Sequence, residues 1–381
     1  MKVLFKNRVD AFDKPGGDVI QMLKIKEFLE KRGCEIEISL KFDDDLSPYD
    51  VVHIFNTVRI HESYYHAVAA KRHGKPVALS TIYWNFEEFE KLGRTGVLSF
   101  INLLAGSNAR EYSKCLYRYL IIGEKNPAVR LFLKKGYSIQ QNDIFNFVDM
   151  ILPNSYAELL MLRKDFDAAG SVPYKIVHNC ADVSFYNASP DSFIEKYGLK
   201  DVVLCAGIIA PRKNQLALAK ALKGTGLKLI LVGRVQSESY FDAVKNASDG
   251  NLCYIGALDQ NQLASAYAAA RVHVQPSWLE TPGLASLEAA LAGGKIVVTN
   301  RGSTREYFKD MVYYCDPSDY KSIRAAVVAA YNATPNNLLR DYIKENFTWD
   351  KAAEITLDAY HWLLGGGNEG FHSFWDTSRG H

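Results

Sequence analysis

Short runs of apolar residues alternate along this chain with longer stretches in which apolar residues recur every three or four positions. Residues 3–5, 51–55, 202–207 and 228–234 belong to the first kind and have the length of buried strands. Stretches with helical periodicity lie between them, such as the one that ends at Gly33. Because strands alternate with helices, the pattern predicts an α/β fold built on parallel sheets.

The stretch from residue 279 to residue 294 predicts a turn that opens into a buried helix. Thr281 is a favourable N-cap, and Pro282 has the fixed φ angle that suits the first helical position. Small apolar residues form the body of the helix, and the pair Gly293-Gly294 ends it. Residues 296–299 then form a short buried strand.

Two carboxylates bracket the start of this helix. Glu280 stands just before the predicted cap and Glu288 about two turns inside, so both can face one cleft. Between them, the amides of Gly283 and Leu284 lie at the positive end of the helix dipole, which suits a diphosphate. The alternative is a pair of solvated glutamates that flank an ordinary helix.

A second candidate for phosphate binding follows the strand at residues 202–207. Arg212, Lys213 and Asn214 come after it, and a lysine beyond the carboxyl end of a strand can reach a phosphate at the binding edge of the sheet. The alternative is a surface charge pair at the start of a helix. Cations are unfavourable at that end without an anion nearby, which favours phosphate binding.

The first strand is followed by a glycine-rich loop, Gly16-Gly17-Asp18. This loop is either a plain strand-to-helix turn, which glycine makes easily, or a place where bare backbone approaches a donor phosphate or an acceptor. No Gly-x-Gly-x-x-Gly sequence follows any strand, so a hydride-transferring dinucleotide enzyme has little support.

Composition narrows the class of protein. The chain of 381 residues has room for about two domains, and 48% hydrophobic residues with 23% charged ones describe a globular protein with a substantial core. A net charge of +2 argues against a nucleic-acid partner. Six single cysteines indicate a reducing compartment, and no residue cluster suggests a metal or a cofactor. Without a signal-peptide core or an apolar run of about 20 residues, we expect a cytoplasmic protein.

Residues 91–135 are strongly basic, with tyrosines and leucines between the charges. They form either a solvated helical insert or a surface for anionic lipid or a lipid-diphosphate acceptor, with peripheral contact at the inner face of the membrane. The basic residues are Lys91, Arg94, Arg110, Lys114, Arg118, Lys125, Arg130, Lys134 and Lys135, against Glu111 and Glu124.

The spacing of Glu280, seven residues and then Glu288, on a Pro-Gly turn that enters an alanine-rich helix, resembles the signature of the retaining GT-B glycosyltransferases of family four. The resemblance implies that Glu280 contacts the donor sugar and that Glu288 holds the ribose hydroxyls of the nucleotide. Lys213 matches the lysine of that family's Gly-Arg-x-x-x-x-Lys, whereas Ile208 stands in the place of the arginine.

The same resemblance implies an α/β fold of GT-B architecture, with two facing Rossmann-like domains and an interdomain cleft. Residues 1–172 would form the acceptor-side domain, with its last strand within residues 145–155. Residues 173–348 would form the nucleotide-sugar-binding domain. A helix at residues 349–364 would pack back on the first domain, and residues 365–381 would be a tail.

The function implied is transfer, with retention, of a hexose-type sugar from a nucleotide-diphosphate sugar to a hydroxyl of a glycan or lipid-linked acceptor, in cell-surface polysaccharide synthesis. The donor is a substrate, and neither a cofactor nor a metal is expected. The expected catalytic residues are Lys213, Glu280 and Arg212. The expected substrate-binding residues are Gly16, Gly17, Asp18, Gly207, Asn214, Gly233, Arg234, Tyr254, Ile255, Thr281, Pro282, Gly283, Leu284 and Glu288.

Two other functions remain open at this point. A nucleotide-sugar epimerase of the same architecture would turn over the sugar nucleotide without an acceptor. A non-catalytic subunit that binds sugar nucleotides is the other, because Ile208 replaces the family's arginine, and Tyr83 or Trp84 stands where many members carry a histidine.

Overall fold

The computed structural model describes residues 1–93 and 106–365, which form two compact α/β units. Residues 1–84, 106–178 and 349–365 make up the first unit, and residues 85–93 and 179–348 the second. The division falls after residue 178 rather than after residue 172. Residues 85–93, which the sequence assigned to the N-terminal domain, belong to the second unit.

The first unit is built on a five-stranded parallel sheet with the order β2-β1-β3-β4-β5. The strands read as continuous apolar runs because helices cover a parallel sheet on both faces. The strands are β1 Lys2–Lys6, β2 Glu35–Ile38, β3 Val51–Phe55, β4 Val77–Ser80 and β5 Met150–Ile151. The helices are α1 Gly17–Glu30, α2 Ile60–Arg72, α3 Gly106–Tyr117, α4 Pro127–Lys135, α5 Tyr137–Asp143 and α6 Tyr156–Asp165.

The second unit is built on a six-stranded parallel sheet with the order β11-β10-β9-β6-β7-β8. The strands are β6 Val202–Ala206, β7 Leu229–Val232, β8 Leu252–Gly256, β9 Ala270–Gln275, β10 Lys295–Thr299 and β11 Tyr313–Cys315. The helices are α7 Asp191–Tyr197, α8 Gln215–Leu222, α9 Glu238–Ala247, α10 Gln260–Ala269, α11 Leu284–Leu291, α12 Thr304–Phe308, α13 Tyr320–Asn332 and α14 Leu338–Asn346.

The strand order of the second sheet reverses between two central neighbours, β6 and β9. The chain proceeds from β6 toward β8 on one side and from β9 toward β11 on the other. The loops that follow these two strands therefore leave in opposite directions and open a crevice at their carboxyl ends, which is where open α/β sheets bind ligands. Two parallel-sheet units of this kind confirm the predicted fold class.

The last helix, α15 (Trp349–Leu363), belongs to the first unit and packs on α1. Its Tyr360 hydroxyl lies 2.6 Å from Nδ1 of His53 in β3, whose Nε2 lies 2.9 Å from the Ser80 hydroxyl. Burial lowers the pKa of His53 to about 3. His53 is therefore a neutral core residue that joins α15 to the sheet. No helix within residues 1–93 and 106–365 has the length and hydropathy required to cross a bilayer.

Candidate active site

The centre of the candidate site is an ion pair between two residues that the sequence nominated for catalysis. Lys213 ends a short 3-10 helix after β6, and Glu280 follows β9. Because β6 and β9 are neighbours in the sheet, their loops meet, and Lys213 Nζ pairs with Glu280 Oε1. Gln275 Nε2, at the end of β9, donates a hydrogen bond of 3.2 Å to the same oxygen.

Glu280 is only 5% exposed, so its ionisation depends on nearby cations. Burial by itself would raise the pKa of this carboxyl group, but Lys213 and Arg212 outweigh burial and hold the pKa below its usual value. Burial lowers the pKa of Lys213, against the attraction of Glu280. Each group of the pair thus favours the charged form of the other against its burial.

Arg212, next to Lys213, is held through its backbone carbonyl and through a contact of its side chain with an aromatic ring. Its carbonyl accepts a hydrogen bond of 3.0 Å from the amide of Trp278, and its guanidinium group lies 5.8 Å from the ring centre of Phe86. Within the described part of the chain, no carboxylate forms an ion pair with Arg212. The arginine therefore adds a positive charge near Glu280 that the protein does not neutralise by direct contact.

The helix next to Glu280 begins later than predicted. Helix α11 starts at Leu284 and its N-cap is Gly283 (φ +86°), so Thr281 is not the cap and Pro282 is not the first helical residue. A backbone bridge from Glu280 to Gly302 explains the difference, because it holds the chain extended before the helix. A β-carbon on Gly283 would lie 3.2 Å from Glu280 Oε2, which places the first turn of α11 close to the carboxylate.

Gly302 supports Glu280 from the next loop, and sequence reasoning did not single it out. A β-carbon on Gly302 would lie 2.1 Å from the carbonyl oxygen of Glu280, and its φ of +87° also favours glycine. The neighbouring Ser303 amide donates a hydrogen bond of 3.0 Å to that oxygen. The only signal in the sequence was a glycine shortly after a buried strand.

Glu288 occupies a separate position on α11. The hydroxyl of Tyr267, a buried residue of α10, donates a hydrogen bond of 3.2 Å to Glu288 Oε2. Burial raises the pKa of Glu288 to about 7; Asp182 adds to the rise and Tyr267 opposes it. Among the described residues, no hydrogen bond or ion pair joins Glu288 to Lys213 or Glu280. Tyr267 is a further residue that the sequence analysis missed.

Three of the predicted substrate-binding residues lie together where β6, β7 and β8 end. A β-carbon on Gly233 would lie 2.0 Å from the carbonyl oxygen of Gly207, so the two loops touch through their backbones. The Tyr254 hydroxyl donates a hydrogen bond of 2.9 Å to the Gly233 carbonyl. These contacts fix the shape of the loop edge that the sequence assigned to the nucleotide base and phosphate.

The other residues predicted at this edge differ in their exposure and in their bonding partners. Arg234 is exposed, and its side chain has no ion-pair partner among the residues described. Ile208 is half-buried, and its carbonyl accepts a hydrogen bond of 2.9 Å from Gln215 Nε2. Ile255 is half-buried within β8. A second cation for a diphosphate is thus available from Arg234 or Arg212.

Asn214 and Thr281 are engaged by the protein itself. Asn214 adopts a left-handed conformation (φ +62°), and its Nδ2 donates to the carbonyls of Pro276 at 3.1 Å and Pro317 at 2.8 Å. Both amide hydrogens therefore join loops of the second unit. The carbonyl of Thr281 accepts a bond of 3.3 Å from Asn179 Nδ2. Ligand contact by either residue stays a prediction.

The glycine-rich loop belongs to the first unit and is held by Asp18. Gly16 is the N-cap of α1, and Gly17 is its first residue. The Asp18 carboxylate accepts hydrogen bonds from Arg8 Nε at 3.1 Å and from Asn56 Nδ2 at 2.8 Å. A β-carbon on Gly16 would lie 2.7 Å from Asp18 Oδ1. Asp18 thus ties together the loops after β1 and β3.

Tyr83 is one of the two residues, with Trp84, that stand where the family histidine would be expected, and its polar groups bond to a helix of the first unit. Its amide donates to Glu158 Oε1 at 2.8 Å, and its hydroxyl donates to Asp165 Oδ2 at 2.8 Å. Both acceptors lie on α6. Tyr83 therefore anchors its loop to α6.

One group of metal-ligand types is present in the described part of the chain. Ligand atoms of His61, Glu62 and Glu124 lie within 4.8 Å of one another. Arg59 Nη1 bonds the carboxylates of Glu62 and Glu124 at 2.8 Å each. Both carboxylates are thus already engaged by an arginine of the protein.

The basic segment also carries exposed apolar side chains. Leu120, Ile121 and Ile122 are 63%, 69% and 64% exposed. Of the predicted basic residues, Lys114 pairs with Glu111 and Lys135 with Asp143. Arg94, and the side chain of Arg110, lie outside the described residues.

Comparison with known proteins gives the site a family context. Residues 191–348 match the family model described as Glycosyl transferases group 1. The O-antigen chain mannosyltransferase B of Escherichia coli is 29% identical over 188 residues, which cover 45% of this chain and 49% of that protein. The chain thus spans about half the length of this curated relative.

Solved structures resemble the whole fold at low sequence identity. Sucrose-phosphate synthase from Thermosynechococcus elongatus has a TM-score of 0.69 at 15% identity, over 96% of this chain and 100% of that one. Anabaena HepE in complex with UDP-glucose has a TM-score of 0.63 at 16% identity, over 94% of this chain and 100% of that one. Residues 191–348 are thus similar to the glycosyl transferases group 1 family, and the two parallel-sheet units have the GT-B fold.

Proposed function

We propose that the protein is a retaining glycosyltransferase that moves a hexose-type sugar from a nucleoside-diphosphate sugar to a hydroxyl of a glycan or lipid-linked acceptor, in cell-surface polysaccharide synthesis. The observation that carries the proposal is the buried Lys213–Glu280 pair at the reversal of strand order in the second sheet. Ligands of open α/β sheets bind at such a point. The match of residues 191–348 to the glycosyl transferases group 1 model supports the same reaction class.

The transfer breaks the bond between the anomeric carbon and the diphosphate oxygen and forms a bond from that carbon to the acceptor oxygen. The departing diphosphate gains negative charge, and the acceptor proton passes to one of its oxygens. Lys213 and Arg212 would stabilise the growing charge. The amides of Gly283 and Leu284, at the start of α11, would donate hydrogen bonds to it. Preorganised donors of this kind are most effective in a site shielded from water.

Glu280 would bind the donor sugar, and its negative charge would at the same time balance the positive charge of Lys213. A carboxylate offers about four acceptor positions, so Glu280 can bind sugar hydroxyls in addition to Lys213 and Gln275. The arriving diphosphate then shares Lys213 with Glu280. Before the donor binds, Glu280 favours the charged form of the lysine, which burial disfavours.

Glu288 would accept hydrogen bonds from the ribose hydroxyls. The Tyr267 hydroxyl fixes one of its oxygens at 3.2 Å and favours the ionised form, while burial opposes ionisation. The ionised carboxylate accepts both hydrogens of a diol, whereas the protonated form accepts fewer. Nucleotide binding should therefore strengthen as the pH rises through about 7.

The donor is best identified by ligand-induced stabilisation. Thermal shift with UDP, GDP and ADP, and with their glucosyl and mannosyl derivatives, should show one preferred base, because ligand binding raises the melting temperature by mass action. Proton NMR of the product then gives the anomeric configuration. A product with inverted configuration would refute retention, and sugar-nucleotide isomerisation without an acceptor would favour an epimerase.

The acceptor side of the proposal includes contact with an anionic membrane. Leu120 and Ile121 are strongly exposed within a basic segment, a combination typical of surfaces that lie in the membrane interface. Sedimentation with phosphatidylglycerol vesicles at low and high salt tests this contact. A Leu120→Ser/Ile121→Ser variant should bind less, whereas Leu338→Ser, equally exposed but in the second unit, should bind as the wild type does. Equal binding by both variants would refute membrane contact through this segment.

Ile208 favours one alternative, a subunit that binds sugar nucleotides without transferring the sugar. The family's arginine is absent there, and the half-buried isoleucine offers no charge to a diphosphate. Slow hydrolysis of the donor separates the two functions, because a transferase site hydrolyses its donor without an acceptor. Tight donor binding with neither hydrolysis nor transfer would establish the alternative.

A further inference from the structure

The first unit contains a cavity of about 570 Å³ that the donor site does not use. It lies between the loop after β2, helix α2 and helix α4, and its volume is in the range of about 300–1,000 Å³ common for small-molecule sites. The apolar residues that line the cavity include Phe42, Leu46, Val52, Tyr65, Val68 and Leu131.

The charges around the cavity are predominantly positive. Arg72, Arg130 and Lys134 line it and are exposed, and none of their side chains has an ion-pair or hydrogen-bond partner within residues 1–93 and 106–365. Lys6 also lines the cavity but is paired with Asp44. Asp43 is the remaining acidic group of the lining. Three uncompensated cations against one carboxylate favour an anionic ligand.

A buried histidine lies beside the apolar wall of the cavity. His66 lines the cavity and is 4% exposed, and its Nε2 has no hydrogen-bond partner among the described residues. Its ring stacks on Phe42 with the ring centres 5.1 Å apart. Burial, together with the charge of Lys6, lowers the pKa of His66 to about 3, so the ring is neutral. Because Nε2 is also inaccessible, the ring contributes to the wall and makes no polar contact with a ligand.

We propose that this cavity binds an amphiphile with a phosphate headgroup, namely a single-chain lipid phosphate. The chain lies along the apolar wall formed by Phe42, Val68 and Leu131. The phosphate contacts Arg72, Arg130 and Lys134 at the rim, where charge-assisted hydrogen bonds are strongest. All of these groups belong to the first unit, so binding does not require the donor site.

Calorimetric titration of the full chain with dodecyl phosphate, below its micelle concentration, tests the proposal. Dodecyl maltoside and inorganic phosphate serve as comparison ligands. We expect dodecyl phosphate to bind with 1:1 stoichiometry. We expect the two comparison ligands to bind at least about tenfold more weakly, because each lacks one half of the recognised chemistry. If dodecyl maltoside binds as tightly as dodecyl phosphate, the cavity recognises only the apolar chain. If inorganic phosphate binds as tightly, the cations form a surface anion site without a role for the cavity. Either result overturns the proposal.

Variants locate the binding. Arg130→Ala/Lys134→Ala should weaken dodecyl phosphate at least about tenfold, and both side chains are exposed, so folding should be unaffected. Ala69→Trp should abolish binding by filling the cavity. Lys164→Ala removes an exposed lysine of α6 outside the cavity and should bind as the wild type does. Binding that is unchanged in the double variant, or weakened equally by Lys164→Ala, overturns the proposal. Thermal shift with the preferred nucleotide should be unaltered in the double variant.

Discussion

Replacing Lys213 by methionine separates the structural role of the ion pair from its proposed catalytic role. Methionine keeps the length and apolar volume of the lysine side chain but removes its charge. Glu280 is then a carboxylate with 5% exposure whose adjacent cation is gone. Breaking a buried pair in this way costs about 3–5 kcal/mol. For a unit of this size we expect the melting temperature to fall by about 10 °C.

A second substitution should restore stability without restoring activity. In Lys213→Met/Glu280→Gln no uncompensated charge is buried, and the glutamine can still accept the hydrogen bond of Gln275. The free energy of unfolding should return to within about 1 kcal/mol of the wild-type value. Turnover should stay about a hundredfold or more below wild type, because the cation that stabilises the departing diphosphate is absent. The loss should appear mainly in kcat.

Urea denaturation and a transfer assay measure the two effects. Lys223→Met is the matched control, because Lys223 pairs with Asp249 at the surface, where such pairs contribute about 0–1 kcal/mol. The reasoning is refuted if Lys213→Met is as stable as the control and transfers sugar at the wild-type rate. Recovery of full activity in the double variant would also refute the catalytic role of Lys213.

Three further predictions concern residues around this pair. The folded-state pKa of Glu288, about 7, exceeds its ordinary value of 4.5, so this group makes stability fall as the pH rises from about 4.5 to about 7. Glu288→Gln should remove that decline and raise the free energy of unfolding at pH 8 by up to about 3 kcal/mol, as urea denaturation at pH 5 and pH 8 will show. Gly302→Ala should cost at least about 2 kcal/mol, because its β-carbon would collide with the Glu280 carbonyl, whereas Gly198→Ala, with open space around it, should cost about 1 kcal/mol; equal losses in melting experiments would contradict this. Arg212→Ala should lower turnover about tenfold or more, and Arg234→Ala should match it only if Arg234 contacts the diphosphate directly.

Much of the first sheet and of the second could be predicted from the sequence, because parallel strands are buried on both faces and appear as continuous apolar runs. Residues 51–55 are β3 to the residue. The strand prediction failed where an apolar run belongs partly to a helix. Residues 145–155 yielded only β5, Met150–Ile151, and the preceding apolar residues Ile144–Phe147 form a 3-10 helix. Helix and strand cannot be separated by hydropathy in so short a run.

The start of α11 shows a second limit. Thr281 and Pro282 have the local preferences of a cap and a first helical residue, but the chain before Gly283 is held extended by Gly302, which lies beyond the next strand. A bond between distant segments overrides a propensity worth about 1 kcal/mol. No local pattern contains the information that residue 302 will contact residue 280.

The sequence by itself determined the alternation of strands and helices, the residue types of the candidate site and their place at strand ends. These are local properties, fixed by burial of apolar runs and by the glycines that turn the chain. Only the tertiary structure decided which groups meet. In the folded chain, Lys213 forms an ion pair with Glu280, and Tyr267 donates a hydrogen bond to Glu288. The Asp18 carboxylate accepts hydrogen bonds from Arg8 and Asn56. Such contacts follow from strand order and loop direction, and these depend on packing between segments that are far apart in the chain.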